Sequence, residues 1–293
     1  MEVRPLTGEF GCEILDVQLA ELTSAQFDEI CAAWLKYSVV VFRDQELEIG
    51  QFAEFGRRFA PLEDEPFLPY KSDEPGVYYF KGAGRTEKKL STQNLTWHVD
   101  HSYQTNPSLG AMLYGVRVPY SGGDTVFASN YLAYEYLSDK MKHFLSDLDA
   151  MHDVLQYGVN SGHRTMATPE GLQALSKRRE KFPPTRHPLI CEHPETHRKM
   201  LYLNEAWTTS ICDLEPAESA ALLQMLKIHA VQPLFQCRVR WFNKSLLLWD
   251  NRAVQHRPTS DYSGERYMWR LALHSDWVPG QAEAPADVAA GAR

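Results

Sequence analysis

A chain of 293 residues is long enough to bury a large single core, and 44% hydrophobic with 12% aromatic residues excludes disorder over most of its length. A formal charge of −8 argues against a general hold on nucleic acid, and no apolar run approaches the roughly 18 residues needed to span a membrane. Cys12, Cys31, Cys191, Cys212 and Cys237 are odd in number and form no CxxC pair, which excludes a disulfide framework and a thiolate zinc site. The opening residues also lack the order of a signal peptide, so a cytoplasmic location is expected.

In chain order, short β-type stretches broken at Gly8 and Gly11 precede a helix capped by Thr23 or Ser24, with Phe27, Ile30, Cys31 and Trp34 at helical spacing. "VVVFRDQ" (Val39 to Gln45) reads as a buried strand, and Phe52, Phe55 and Phe59 stripe a second short helix. Further strands are expected at Val77 to Phe80 and Gly110 to Pro119. One helix punctuated near Ser138 carries Tyr134, Leu137, Met141, Leu145 and Leu148. Residues 157–187 are polar with little periodicity, the mark of a lid-like insertion. Within this stretch "SKRREK" (Ser176 to Lys181), like "GRTEKK" (Gly84 to Lys89), reads as a solvated basic face. The last third restores the pattern with strands at "MLYLN", "CRVRWF", "SLLLWD" and "YMWRLALHS" and a helix in which Leu222, Met225 and Leu226 face inward. The organisation is one domain over 1–280, mainly β with flanking helices, and a flexible tail over 281–293.

Chemistry concentrates in "TWHVDH". His98 and Asp100 are two apart, so on a strand both side chains share a face and can bind one ion. His256, in "WDNRAVQHRP" after the strand "LLLWD", is the best third ligand. Two histidines and one carboxylate leave three positions open on an octahedral metal and suit Fe(II) better than thiolates would. Arg266 and Arg270, four apart on a strand, can both look into the same site. A buried guanidinium demands a planar anion, and a dicarboxylate supplies one; Thr125 in "GGDTVF" adds a hydroxyl donor.

The segments "TWHVDHSY", "GVRVPYSGGDTVFAS", "HPLICEHPETHRKMLYLNEAWTTSI", "WDNRAVQHRPTSDY" and "RYMWRLAL" together resemble the TauD/TfdA family of taurine/α-ketoglutarate dioxygenases, in the family's order from about residue 5 to 278. The resemblance implies a double-stranded β-helix, the cupin-like jelly roll, around Fe(II) held by His98, Asp100 and His256. It also implies 2-oxoglutarate as cosubstrate, held by Thr125 and Arg266, and O₂ as oxidant. Arg270 is implied as a second arginine of the pocket, for the cosubstrate or for an anionic substrate. Nine residues separate His256 from Arg266, fewer than the family's usual ten to thirteen. A one-residue deletion in "DYSGER" accounts for this, although the two arginine roles remain exchangeable.

The implied reaction oxidises, most simply by hydroxylation, a small anionic organic substrate with release of succinate and CO₂. Desaturation of an aryl or amino-acid-derived metabolite is the alternative enzyme outcome, and a β-rich binding protein without turnover is the non-enzyme one. Around the substrate we expect Asn94, Trp97, His101, Tyr157, Val159, Trp207 and Arg270. The histidine and tyrosine that taurine-binding relatives carry are missing around Pro69 to Ser72, so taurine itself is not expected. Relatives form dimers or tetramers, and neither is favoured here.

Overall fold

The computed structural model describes residues 1–65, 70–83, 96–156 and 168–281. The expectations for Asn94, Tyr157, Val159, the "GRTEKK" run and nearly all of the tail lie outside them.

Helix α1 (Ser24–Tyr37) begins where Thr23 accepts the Gln26 N–H at 3.2 Å and the Gln26 side chain returns the bond to the Thr23 N–H at 3.0 Å, a reciprocal cap that satisfies two donors at the helix start. Its buried stripe is Phe27, Ile30, Ala33 and Trp34. Helix α2 (Ile49–Arg57) buries Phe52 and Phe55, and Phe59 follows just beyond its end. These rings meet edge-on, with Phe27 and Phe59 centroids 4.8 Å apart and Phe55 and Phe59 5.4 Å apart.

Behind the two helices lies a seven-stranded mixed sheet. It runs in the order β1 (Glu2–Pro5), β2 (Cys12–Leu15), β3 (Val39–Phe42), β13 (Leu246–Asp250), β5 (Gly110–Arg117), β15 (Glu265–Leu273), β4 (Tyr78–Ala83). Only the pairing of β2 with β3 is parallel. Every residue of β3 and β13 is buried, because the sheet is covered on both faces. The alternation of the strand divides them: Val40, Phe42, Leu246 and Leu248 pack with the rings of α1 and α2, whereas Val39, Val41, Leu247 and Trp249 pack on the other side.

That other side faces a three-stranded sheet ordered β12 (Gln236–Val239), β6 (Thr125–Ser129), β14 (Val254–Pro258), whose Phe127, Cys237, Val239 and Val254 share one apolar cluster with Leu113, Trp249 and Met268 of the large sheet. Two smaller sheets, β11 (Thr208–Ile211) with β7 (Asp149–His152) and β8 (Thr185–Pro188), and β10 (Lys199–Leu201) with β9 (Ile190–Glu192), complete the strands among the described residues.

The helix expected around Ser138 is two helices, α3 (Asn130–Glu135) and α4 (Asp139–Leu145), and Ser138 caps the second by accepting the Met141 N–H. The polar stretch contains α5 (Pro169–Lys181), whose buried residue is Gly171. With almost no apolar stripe, α5 left no periodicity to read. In α6 (Pro216–Ala230) the buried face is Ser219, Leu223, Leu226 and Ala230, while Met225 is exposed and Leu222 half-buried. The expected face was therefore rotated: with Leu222, Leu223, Met225 and Leu226 all apolar, the sequence admits two phases, and packing selects the one through Leu223. Among the described residues no helix is long and apolar enough to cross a membrane.

Candidate active site

His98, Asp100 and His256 converge between the two facing sheets. His98 does not lie in a strand of any length. It makes a single bridge to His256, in which the His98 N–H donates to the His256 carbonyl at 3.0 Å and the reverse bond measures 2.8 Å. Asp100 follows in a turn, so the two-residue spacing works through one bridge and one turn instead of the expected strand. His256 sits mid-strand in β14, its ring 4.2 Å from that of His98. One ligand atom from each of the three lies within 4.8 Å of the others.

Protonation fits a metal-ligand set. Burial pushes both imidazoles below their usual pKa; Asp100 partly offsets this at His98, while the neighbouring His98 adds to it at His256. Burial would raise the Asp100 carboxyl, but Arg270, His256 and His98 outweigh it and hold the group well below the carboxylate range. Two neutral imidazoles and one carboxylate result. The Nδ1 of His98 lies 2.9 Å from the Thr96 carbonyl, which fixes the proton there and leaves Nε2 as the lone-pair nitrogen, 3.7 Å from Asp100 Oδ1. His256 Nε2 stands 3.9 Å from Asp100 Oδ2. Two nitrogens and one oxygen in this arrangement suit a six-coordinate divalent ion with open positions.

The cluster opens into a cavity of about 700 Å³. Arg266 and Arg270 both line it from β15, on the shared face the spacing predicts, yet their surroundings differ. Arg266 is 3% exposed and lies between the rings of Phe80 and Trp241, at 5.8 and 5.9 Å. It has no carboxylate within ion-pairing distance among the described residues, its Nε has no hydrogen-bond partner, and burial lowers its pKa. Thr125 lies on the same wall. Its Oγ1 accepts the Trp241 indole N–H at 3.0 Å, so the hydroxyl proton remains for another acceptor. A buried cation without a counter-charge, beside a hydroxyl donor, is a cradle for an anion.

Arg270 is engaged. Its Nη2 donates to Asp100 Oδ2 at 2.9 Å, and its Nε and Nη2 donate to the two oxygens of Glu65 at 3.1 and 3.3 Å. His101, at a positive φ of 57°, turns from the ligands toward acidic neighbours: Nδ1 is 2.9 Å from Glu63 and Nε2 3.3 Å from Glu65. Burial would lower the His101 pKa, yet Tyr103, Glu63 and Glu65 raise it well above the ordinary value.

Trp207 lines the cavity and donates its indole N–H to the Val99 carbonyl at 2.9 Å, which steadies the loop between the ligands. Trp97 does not reach the cavity. Successive side chains of an extended segment point to opposite sides, and with His98 inward Trp97 packs on Val126 and Ala128 under Arg257. Reading the residues in order also missed Glu63, Glu65, Tyr103, Arg178, Lys181 and Phe182, all of which line the cavity. The "SKRREK" run is thus only partly a solvated face, since Arg178 reaches the Tyr103 hydroxyl at 2.8 Å. Its i, i+3 spacing to Lys181 was the available signal.

The family model for the taurine catabolism dioxygenase TauD, TfdA family matches residues 2–272. The chain belongs to the TauD/TfdA family. It is 33% identical over 276 residues to the (S)-phenoxypropionate/alpha-ketoglutarate-dioxygenase of Sphingobium herbicidovorans, covering 94% of this chain and 95% of that one. An alpha-ketoglutarate-dependent sulfonate dioxygenase of Saccharomyces cerevisiae is 32% identical, over 98% of this chain and 68% of its own length. Among solved structures, a taurine dioxygenase from Burkholderia xenovorans superposes with a TM-score of 0.77 at 32% identity, covering 95% of this chain and 92% of that one. The structure of AAD-2 in complex with Mn(II) and N-oxalylglycine gives 0.78 at 28% identity, covering 96% and 100%. This TauD/TfdA member is an enzyme of Fe(II)- and 2-oxoglutarate-dependent dioxygenase chemistry acting on a small substrate, and His98, Asp100 and His256 form the donor set that suits its metal.

Proposed function

We propose that this dioxygenase hydroxylates a small organic anion carrying an aromatic or similarly flat apolar body. His98, Asp100 and His256 hold the Fe(II), and Arg266 with Thr125 holds the distal carboxylate of 2-oxoglutarate. The observation that carries the cosubstrate assignment is the contrast between the two arginines: among the described residues Arg266 is buried with no carboxylate in ion-pairing distance and an unpartnered Nε, whereas Arg270 already has two carboxylates. When bound, the iron and cosubstrate supply reductive activation of O₂, and 2-oxoglutarate leaves as succinate and CO₂.

The chain's own residues select and orient the substrate. Tyr103, Phe182 and Trp207 form an aromatic wall, with Tyr103 centroids 5.5 Å from Phe182 and 4.7 Å from Trp207. Arg178 and Lys181 of α5 bring positive charge to the same wall. A flat apolar body against the rings, with its anionic group toward α5, would satisfy both features. An apolar wall at this position would shield the oxidation from bulk water. We read the two facing sheets as the halves of a double-stranded β-helix and residues 157–187, α5 included, as the lid of a single domain over 1–280.

Succinate formation measured with Fe(II), 2-oxoglutarate and O₂ across matched aryl carboxylates, sulfonates and neutral aryl amides tests this reading. Turnover is expected with an anionic class and not with its neutral analogues. Equal turnover of the neutral analogues would remove the anionic substrate.

A further inference from the structure

Glu65 comes from the segment after α2, 205 positions away from Arg270 in sequence, and is 6% exposed. Its two oxygens fill one edge of the Arg270 guanidinium, and the shared Nη2 continues to Asp100 Oδ2. Asp100 Oδ1 is free of the guanidinium and lies 3.7 Å from His98 Nε2, while Oδ2 also stands 3.9 Å from His256 Nε2. We propose that Glu65 and Arg270 form a clamp in which Arg270 is a positioning residue for Asp100. The guanidinium holds Oδ2 and limits rotation of the carboxylate that would bind the metal, and Glu65 takes the Nε–Nη2 edge that an anion of cosubstrate or substrate would otherwise use. The inference rests on the reading of His98, Asp100 and His256 as metal ligands.

Two physical arguments support the clamp. A guanidinium fork matches carboxylates on two edges, so one arginine can lock a ligand carboxylate against rotation where a lysine would leave it loose. The charges also compensate: Glu65, which His101 shares at 3.3 Å, lies against Arg270, so the guanidinium adds less net repulsion against a divalent cation held by Asp100.

Mn(II) titrated into metal-free protein, with free Mn(II) read by electron paramagnetic resonance, tests the clamp without turnover. Glu65→Gln leaves the Arg270 charge uncompensated beside Asp100, and Mn(II) affinity is expected to fall about tenfold. Glu65→Asp keeps the charge but withdraws the carboxylate by one methylene, and a smaller fall of about threefold is expected; it serves where the glutamine variant does not fold. An anion-binding Arg270 requires the opposite: Mn(II) affinity unchanged in Glu65→Gln and a lower KM for 2-oxoglutarate or substrate, because a competing carboxylate has been removed. That result would overturn the clamp. Failure of the unaltered chain to bind Mn(II) would instead remove the metal-site reading itself.

Discussion

Arg266 and Arg270 show how much a side chain's role depends on what sits beside it. Both are buried on one face of β15, but among the described residues Arg266 has no carboxylate within ion-pairing distance, whereas Arg270 pairs with Glu65 and Asp100. Arg266→Gln is therefore expected to weaken 2-oxoglutarate by about 30-fold, the equivalent of ~2 kcal/mol for a charge-assisted pair, as read by calorimetry on Mn(II)-loaded protein without O₂. Asp100→Asn keeps the shape of the ligand and loses its charge, and equilibrium dialysis should find no stoichiometric Fe(II) on it. The candidate ligands were legible as an HxD pair and a histidine that continues a strand pattern, but the pair alone is a weak signal and the strand expected at His98 is one bridge and a turn. Glu65 was not legible. It is remote from both its partners in sequence, and nothing in a lone glutamate before a polar stretch signals an arginine 205 positions away.

Elements place those side chains, and the turn before β6 is where this dependence is sharpest. Gly122 has φ +74°, and a Cβ there would lie 2.6 Å from the Asp261 carbonyl oxygen, in the loop between β14 and β15. Gly122→Ala should cost about 1–3 kcal/mol of stability in denaturant unfolding and weaken 2-oxoglutarate as well, because Thr125 begins the strand that this turn launches. Unchanged cosubstrate binding in that variant would separate the turn from the cradle. Helices with an apolar stripe, such as α1 and α2, were readable from periodicity. Helix α5 was not, because it packs through Arg178 and the neighbouring Phe182 onto Tyr103 and carries almost no buried apolar face. The face of α6 was misread because adjacent leucines made two phases equally apolar.

Across the whole molecule, the sheet order β1-β2-β3-β13-β5-β15-β4 unites strands from both ends of the chain, a non-local pairing that alternating hydrophobicity does not encode. The family resemblance, and not the residue pattern, supplied the expectation of facing sheets. A buried histidine pair beneath the ligand loop sets an acid limit on this assembly. His187 Nε2 lies 3.0 and 3.1 Å from the Ser102 and Gln104 carbonyls, and burial lowers its pKa from 6.5 to about 4, while His152 is lowered in the same direction. A depressed folded-state pKa contributes stability that is complete above 6.5 and is lost as pH falls toward 4. For His187 this amounts to about 3 kcal/mol, and the thermal midpoint should drop over that window. His187→Gln keeps an N–H donor and cannot titrate, so it should flatten the drop; an unchanged profile would assign the acid sensitivity elsewhere.

The proposed reaction needs one iron centre that chelates 2-oxoglutarate. Anaerobic absorption of the metal-free protein, first with one equivalent of Fe(II) and then with 2-oxoglutarate, tests it most directly. A weak visible charge-transfer band that appears only with the cosubstrate, saturates at one equivalent and requires Arg266 for tight binding is predicted. Iron bound at His98, Asp100 and His256 with no such band at saturating 2-oxoglutarate would contradict the assignment.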